Sequence, residues 1–339
     1  MNESNERYDT DSVREFAVSD PGAGPYALAE GPDGALWFTL VHRGAVARRD
    51  PDDGRVTVHP VGDGPTVIAP GPDGALWFTL VHRGAVARRD PDDGRVTVHP
   101  VGDGPTVIAP GPDGALWFTE YRTHRIGRLT PDGDYSSFAP LTPEGGPFGI
   151  TAGPDGAMWF TLSAADRIGR VTVDGDVSEY AAPGAFPSAV TAGPDGALWC
   201  TLNQGNAVGR LTTDGHGTAY PLPTEGAAPV GIAAGPDGAL WFTEIGAGRI
   251  GRITVAGDIT EYPLADPGAR PHAVTAGPDG ALWFTEWGTG RVGRITVDGR
   301  LGSYALSRTD SEPHGIAVHG GALWCALETG SLARIEVPS

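Results

Sequence analysis

A tryptophan returns along this chain at an almost constant interval. Trp37, Trp77, Trp117, Trp159, Trp199, Trp241, Trp283 and Trp324 follow one another at 40, 40, 42, 40, 42, 42 and 41 residues, each within a version of the run GPDGALWFT first met at 31–39. A fixed period in this range means that one supersecondary unit is repeated and that neighbouring units bury one another's faces. Residues 229–264 show what a unit holds. VGIAA leads into Gly-Pro-Asp-Gly, whose proline presets φ and whose last glycine accepts positive φ, and ALWFTE, RIGRITV and ITEYPL follow between further glycine-bearing turns. No run has a helical period, and 52 glycines and 31 prolines would interrupt most helices. Four short antiparallel strands per period of about 40 residues is the pattern of a propeller blade, so the expected fold is an all-β, eight-bladed β-propeller.

The two ends of the chain are each incomplete in a way that the other mends. Residues 14–18, REFAV, resemble the fourth strand of a unit with no first three before them, and the eighth unit stops after its third strand at 331–337. Joined, they make one blade and leave no sheet edge open. The expected organisation is a flexible tail over 1–12 and a single propeller domain over 13–339. In each unit ALWFT is apolar on both alternating faces, as a sheet packed between two others requires. The small residue of the third strand (Gly127, Gly169, Gly209, Gly251, Gly293, with Ala47, Ala87 and Ala333) is expected to admit a bulky neighbour from across the blade interface. Residues 31–70 and 71–110 are identical. That duplication leaves a second arrangement open, a seven-bladed ring with one unit extruded. The duplicated segment is expected to carry frame and no chemistry, with His42, His82, His59 and His99 as exposed surface histidines.

Charge narrows the partners. A formal charge of −18, a pI near 4.7 and cations that are all arginine argue against nucleic acid or an acidic membrane surface. Residues 1–11 have no apolar core of a signal peptide and no run is long enough to span a bilayer, which points to the cytoplasm. A closed ring demands no partner, so a monomer is expected. Cys200 and Cys325 replace phenylalanine in the fifth and eighth units, where they read as buried reduced thiols.

In a propeller the innermost strands converge on the central channel, and the loops entering them build one rim. The residue after the proline that opens each such strand gives a ring of positions: Tyr26, Thr66, Thr106, Phe148, Ser188, Val230, His272 and His314. Two histidines fall in adjacent blades, and Tyr26 joins them across the closure. Glu312 precedes His314 by two residues, Glu328 follows it by 14, and Glu244 and Glu286 end strands of blades 6 and 7, which together would make an acidic rim.

The segments Arg270-Pro271-His272-Ala273-Val274 and Glu312-Pro313-His314-Gly315-Ile316, with Glu328 beyond, resemble the streptogramin B lyases, as do the repeated AGPDGALWFTE and RIGRIT runs over essentially the whole chain. The resemblance implies a seven-bladed propeller that linearises cyclic depsipeptide antibiotics by elimination at the lactone, with magnesium, and so confers resistance. It implies His314 as general base, Glu312 and Glu328 as Mg²⁺ ligands, and His272 and Tyr26 as substrate contacts. The chain departs from that pattern by its extra unit, from which the implied site is expected to stand apart. Two other readings stay open on residue types alone: a metal-dependent propeller lactonase, and a binding propeller without catalysis.

Overall fold

The computed structural model describes residues 6–7, 12–18, 20–62 and 64–338. They form eight blades of four antiparallel strands in a closed ring, with no α-helix among the described residues. Blade 6 is representative: from the channel outward its strands are Pro229–Ala234, Leu240–Glu244, Arg249–Ile253 and Ile259–Pro263. The second strand is wholly buried in every blade, because its two faces meet the two flanking sheets. Of the expected tail, Glu6–Arg7 pairs parallel to the outer strand of blade 7 at Gly302 and Ser303, and residues 1–5 and 8–11 lie outside the described residues.

One hydroxyl in each of six blades ties the ring together. The innermost strand breaks register after its opening proline, as between Pro229 and Ile232, and a break of that kind leaves backbone N–H groups without a ladder partner. Thr243, next to last in its strand, fills the gap: its Oγ1 accepts the Gly231 N–H at 3.0 Å and donates to the His272 carbonyl of the next blade at 2.8 Å. Thr39, Thr79, Thr119, Thr161 and Thr201 donate in the same way to the carbonyls of Thr66, Thr106, Phe148, Ser188 and Val230. Six of the eight rim residues, His272 among them, therefore sit where a buried hydroxyl from the preceding blade holds them.

A second knot fixes the other end of blades 1 to 7. Asp237 of the GPDG turn accepts Trp241 Nε1–H at 3.1 Å on one oxygen and Arg252 Nε–H at 2.7 Å on the other. Burial raises the pKa of this carboxyl, but the hydrogen bonds from Arg252 and Trp241 outweigh it and hold the acid below its ordinary range. Tyr262 of the outer strand stacks on Trp241. In blades 1 and 2 histidine takes that aromatic place, and His59 and His99 stack on Trp37 and Trp77 with ring centroids 5.5 and 5.8 Å apart. They are half-buried structural residues, contrary to the surface role expected, and burial pulls both below the usual imidazole pKa. The small third-strand residue also serves another neighbour than expected. A Cβ on Gly251 would come within 2.1 Å of Phe242, its cross-strand partner in the same blade.

The ring closes as the sequence requires. Val13–Ala17 pairs with Ser331–Ile335 to complete blade 8, and Phe16 supplies the aromatic that packs on Trp324. Arg49 of blade 1 lies over the Phe16 and Trp324 rings at 4.7 and 4.8 Å, as Arg89 of blade 2 lies over Trp37 at 4.2 Å. Both copies of the duplicated unit are thus full blades, and each fits the blade before it; no unit is extruded. Removing a buried hydroxyl that accepts one backbone bond and donates another should destabilise by about 1–3 kcal/mol. Thr201→Val, which loses both, should lower the chemical-denaturation midpoint more than Thr285→Val, where only the Ala273 N–H bond is at stake.

Candidate active site

The site forms where the ring closes, from blades 7, 8 and 1. His272 and His314 open the innermost strands Pro271–Ala276 and Pro313–His319, one residue after each proline, and Tyr26 holds the same place in Pro25–Glu30. The Tyr26 and His314 rings lie 4.7 Å apart, and His272 meets His314 edge-on at 6.5 Å. Close approach of the two backbones makes this possible, since a Cβ on Gly315 would stand 2.5 Å from the Tyr26 carbonyl oxygen.

The threonine device changes here. Among the described residues no hydroxyl bond reaches the His314 carbonyl, and in blade 8 the threonine is Ala326, which has none to offer Tyr26. Blade 8 also has His319-Gly320-Gly321 in place of Pro-Asp-Gly, so Trp324 Nε1 is buried without a partner. The His319 imidazole instead reaches Glu30 of blade 1 at 3.0 Å.

The two glutamates arrive by different routes. Glu312 stands just before the rim proline, a position that is left-handed in every blade and taken by glycine in four of them; its φ is 47°. Such a conformation in a non-glycine residue is strained by about 1 kcal/mol. Glu328 owes its place to one residue of register. Glu286 and Glu244 close their strand ladders opposite Arg291 and Arg249, whereas in blade 8 Leu327 closes the ladder opposite Ser331 and Glu328 comes one step later. Successive side chains in a strand face opposite ways, so Glu328 turns to the channel mouth while Glu244 and Glu286 turn inward.

The expected acidic rim is therefore not formed. Glu244 is fully buried with no partner for either carboxyl oxygen, and burial, then the nearby Glu261, pushes its pKa up to about 8. Glu286 is also buried, and it lines a side cavity of about 570 Å³ with Asp266, Arg291 and Ser303.

Glu312, His314 and Glu328 do come together: one ligand atom from each lies within 4.8 Å of the others. His314 Nε2 is 2.7 Å from Glu328 Oε2, and a second imidazole, His42 Nε2, is 2.8 Å from Glu328 Oε1. Burial pushes the Glu328 carboxyl up, but the hydrogen bonds from His42 and His314 and the His314 charge hold it below its usual range. The Tyr26 phenol is raised by burial and then by the Glu328 charge, so it stays protonated and can donate. His272 is lowered, first by the protein crowded around it and then by His314, which keeps it neutral at the open mouth.

His42 was missed by sequence reasoning. It belongs to the duplicated segment that was expected to lie apart from the site, and its rim loop approaches blade 8 only because the ring closes. No local signal marks it, since His82 is its identical copy.

A closed propeller with an imidazole held by a carboxylate, and a second carboxylate within ligand reach, is an arrangement that suits an enzyme built at the mouth of a propeller channel. Comparison with known proteins narrows the class. A protein-family model described as the virginiamycin B lyase family matches residues 55–335. A virginiamycin B lyase of Streptomyces coelicolor is 78% identical over 339 residues, covering 100% of both chains. The crystal structure of the virginiamycin B lyase from Staphylococcus aureus matches with a TM-score of 0.71 and 35% identity, over 96% of this chain and 99% of that one. A catalytically inactive histidine-to-alanine form of the S. aureus enzyme, solved with quinupristin, matches with a TM-score of 0.71 and 34% identity over the same shares. The chain belongs to the virginiamycin B lyase family, and it is a lyase.

Replacing Glu312 by glycine separates the demands of fold and site. Glu312→Gly should stabilise the protein by about 1 kcal/mol by relieving left-handed strain. Divalent-cation affinity should fall in the same variant, the two effects being read by denaturant titration and by calorimetry. A loss of stability would contradict the strain, and unchanged affinity would contradict the ligand role.

Proposed function

We propose that the protein linearises type B streptogramins, cyclic depsipeptide antibiotics, by β-elimination at the lactone ester with a magnesium ion. The observation that carries this reading is the pairing of His314 with Glu328 at 2.7 Å, with Glu312 in the same ligand cluster. The family names, and the inactive S. aureus variant with quinupristin, support the substrate class.

The chemistry follows from the residues. Elimination removes the Cα proton of the residue whose side-chain oxygen makes the ester; its electron pair forms the Cα=Cβ bond as the Cβ–O bond breaks and a carboxylate leaves. No atom is added. With Nε2–H donated to Glu328, His314 keeps Nδ1 as the accepting nitrogen, and Glu328 stabilises the imidazolium that results. Tyr26, protonated, donates to an oxygen of the substrate, and neutral His272 hydrogen-bonds a carbonyl. Glu312 and Glu328 would hold Mg²⁺, which takes one or two carboxylates and keeps other positions for water and substrate. When bound there the ion supplies Lewis-acid stabilisation of negative charge at a carbonyl oxygen.

Mass spectrometry of a type B streptogramin incubated with the protein, with Mg²⁺ and again with a chelator, tests the reading. The expected product is open-chain, has the mass of the substrate, carries a new unsaturated residue and is absent in the chelator. His314→Ala should lower kcat/KM by about 10²–10⁴-fold. A product one water heavier would replace elimination with a lactonase, and a folded protein that leaves the antibiotic intact would overturn the substrate class.

A further inference from the structure

We propose that His42 is a positioning residue of this reaction: it reaches across the ring closure and fixes the Glu328 carboxylate, holding Oε1 so that Oε2 stays on His314 and the group is set for the cation. The proposal rests on the reading of the cluster given above. His42 and Glu328 are 286 residues apart in sequence and 2.8 Å apart in space. Between them they join blade 1 to blade 8, the interface where Ala326 leaves no hydroxyl for the link made elsewhere.

The His42 loop is built to hold its ring still. Val41 N–H bonds the Gly24 carbonyl at 2.9 Å, and the His42 and Arg43 N–H groups bond the Ala23 carbonyl at 3.2 and 3.3 Å. Arg43 pairs with Asp20 at 3.1 Å. The imidazole lies so close over Gly24 that a Cβ there would be 2.5 Å from its Cδ2, and Gly24 has a φ of 70°, so both space and conformation demand glycine. Held through Oε2 alone, a carboxylate that is 29% exposed would keep more freedom about its last torsion. With Nε2 of one imidazole on each oxygen, the plane of the Glu328 carboxylate is fixed.

The protein carries its own control. His82 occupies the same loop of the identical second unit and sits on Gly64 in the same way, where a Cβ would be 2.6 Å from its Cδ2. The preceding blade, however, offers Val41 at the position that Glu328 holds in blade 8. Two histidines of identical local sequence thus face different residues of the preceding blade, Glu328 in one case and Val41 in the other.

Three variants of the full-length protein test this: His42→Ala, His42→Gln and His82→Ala. Each is titrated with Mn²⁺ alone by calorimetry and electron paramagnetic resonance, then assayed on a type B streptogramin. Loss of a partner that orients a metal ligand lowers metal affinity by about 10–100-fold. His42→Ala should weaken Mn²⁺ by that factor and lower kcat with KM little changed. His42→Gln, whose amide N–H lies where Nε2 was, should recover most of the loss, and His82→Ala should match the unmodified protein in both measurements. Unchanged Mn²⁺ affinity in His42→Ala, tighter binding there, or an equal loss in His82→Ala would each overturn the proposal. An unmodified protein that binds no Mn²⁺ would overturn the reading of the cluster as well; the titration needs no substrate, so that failure is told apart from a wrong choice of antibiotic.

Discussion

The hydroxyl of the threonine next to last in the second strand of blades 1 to 6 is the contact on which the ring most depends. It answers a need created by the fold itself, because the innermost strand must break register to turn its first residues toward the channel, and the break strands an N–H. One side chain satisfies that donor and grips the carbonyl of the next blade's rim residue. Six interfaces use it. A buried bond of this kind is worth little while it is made and much when it is half broken, so repeating it leaves the ring few ways to open.

Blade 8 gives up both repeating devices, the threonine and the turn aspartate. What replaces them are two histidine–glutamate contacts across the closure, His42 with Glu328 at the channel mouth and His319 with Glu30 at the other end of the innermost strands. Titratable groups thus occupy the interface at which the preceding blade has no threonine to offer, one of the two that lack the neutral link. The same interface holds the left-handed Glu312 and the one-residue extension that frees Glu328 from the strand ladder. Frame and chemistry share residues here, and the irregularities that would weaken a purely structural blade are the ones that assemble the site.

Much of this was legible in the chain. The tryptophan period and the four runs per unit set the fold, and the two half-units predicted how it closes. His314, His272, Tyr26, Glu312 and Glu328 could be placed because each has a fixed offset from a rim proline or a strand tryptophan. What could not be read was direction and distance. Glu244 and Glu286 look like Glu328 in a linear list, and only the pairing of Leu327 with Ser331 shows that a single residue of offset reverses the face. His59 and His99 look like surface residues until they are seen in the place of Tyr262 and its counterparts. His42 was invisible because its partner lies at the far end of the sequence, and because its copy, His82, has no such partner. The extra blade fits for the converse reason: identical units present Arg49 and Arg89 in the same way, one over the tryptophan of blade 8 and the other over that of blade 1.

In the proposed mechanism a cation-binding cluster and a base are assembled together at the closure of an eight-bladed ring. Anomalous diffraction from crystals of the full-length protein grown with Mn²⁺ tests it most directly. Eight closed blades and one strong anomalous peak between the Glu312 and Glu328 carboxylates, beside His314, are expected. A peak elsewhere in the channel, no peak at a saturating ion concentration, or a ring of seven blades with one unit outside it would contradict that mechanism.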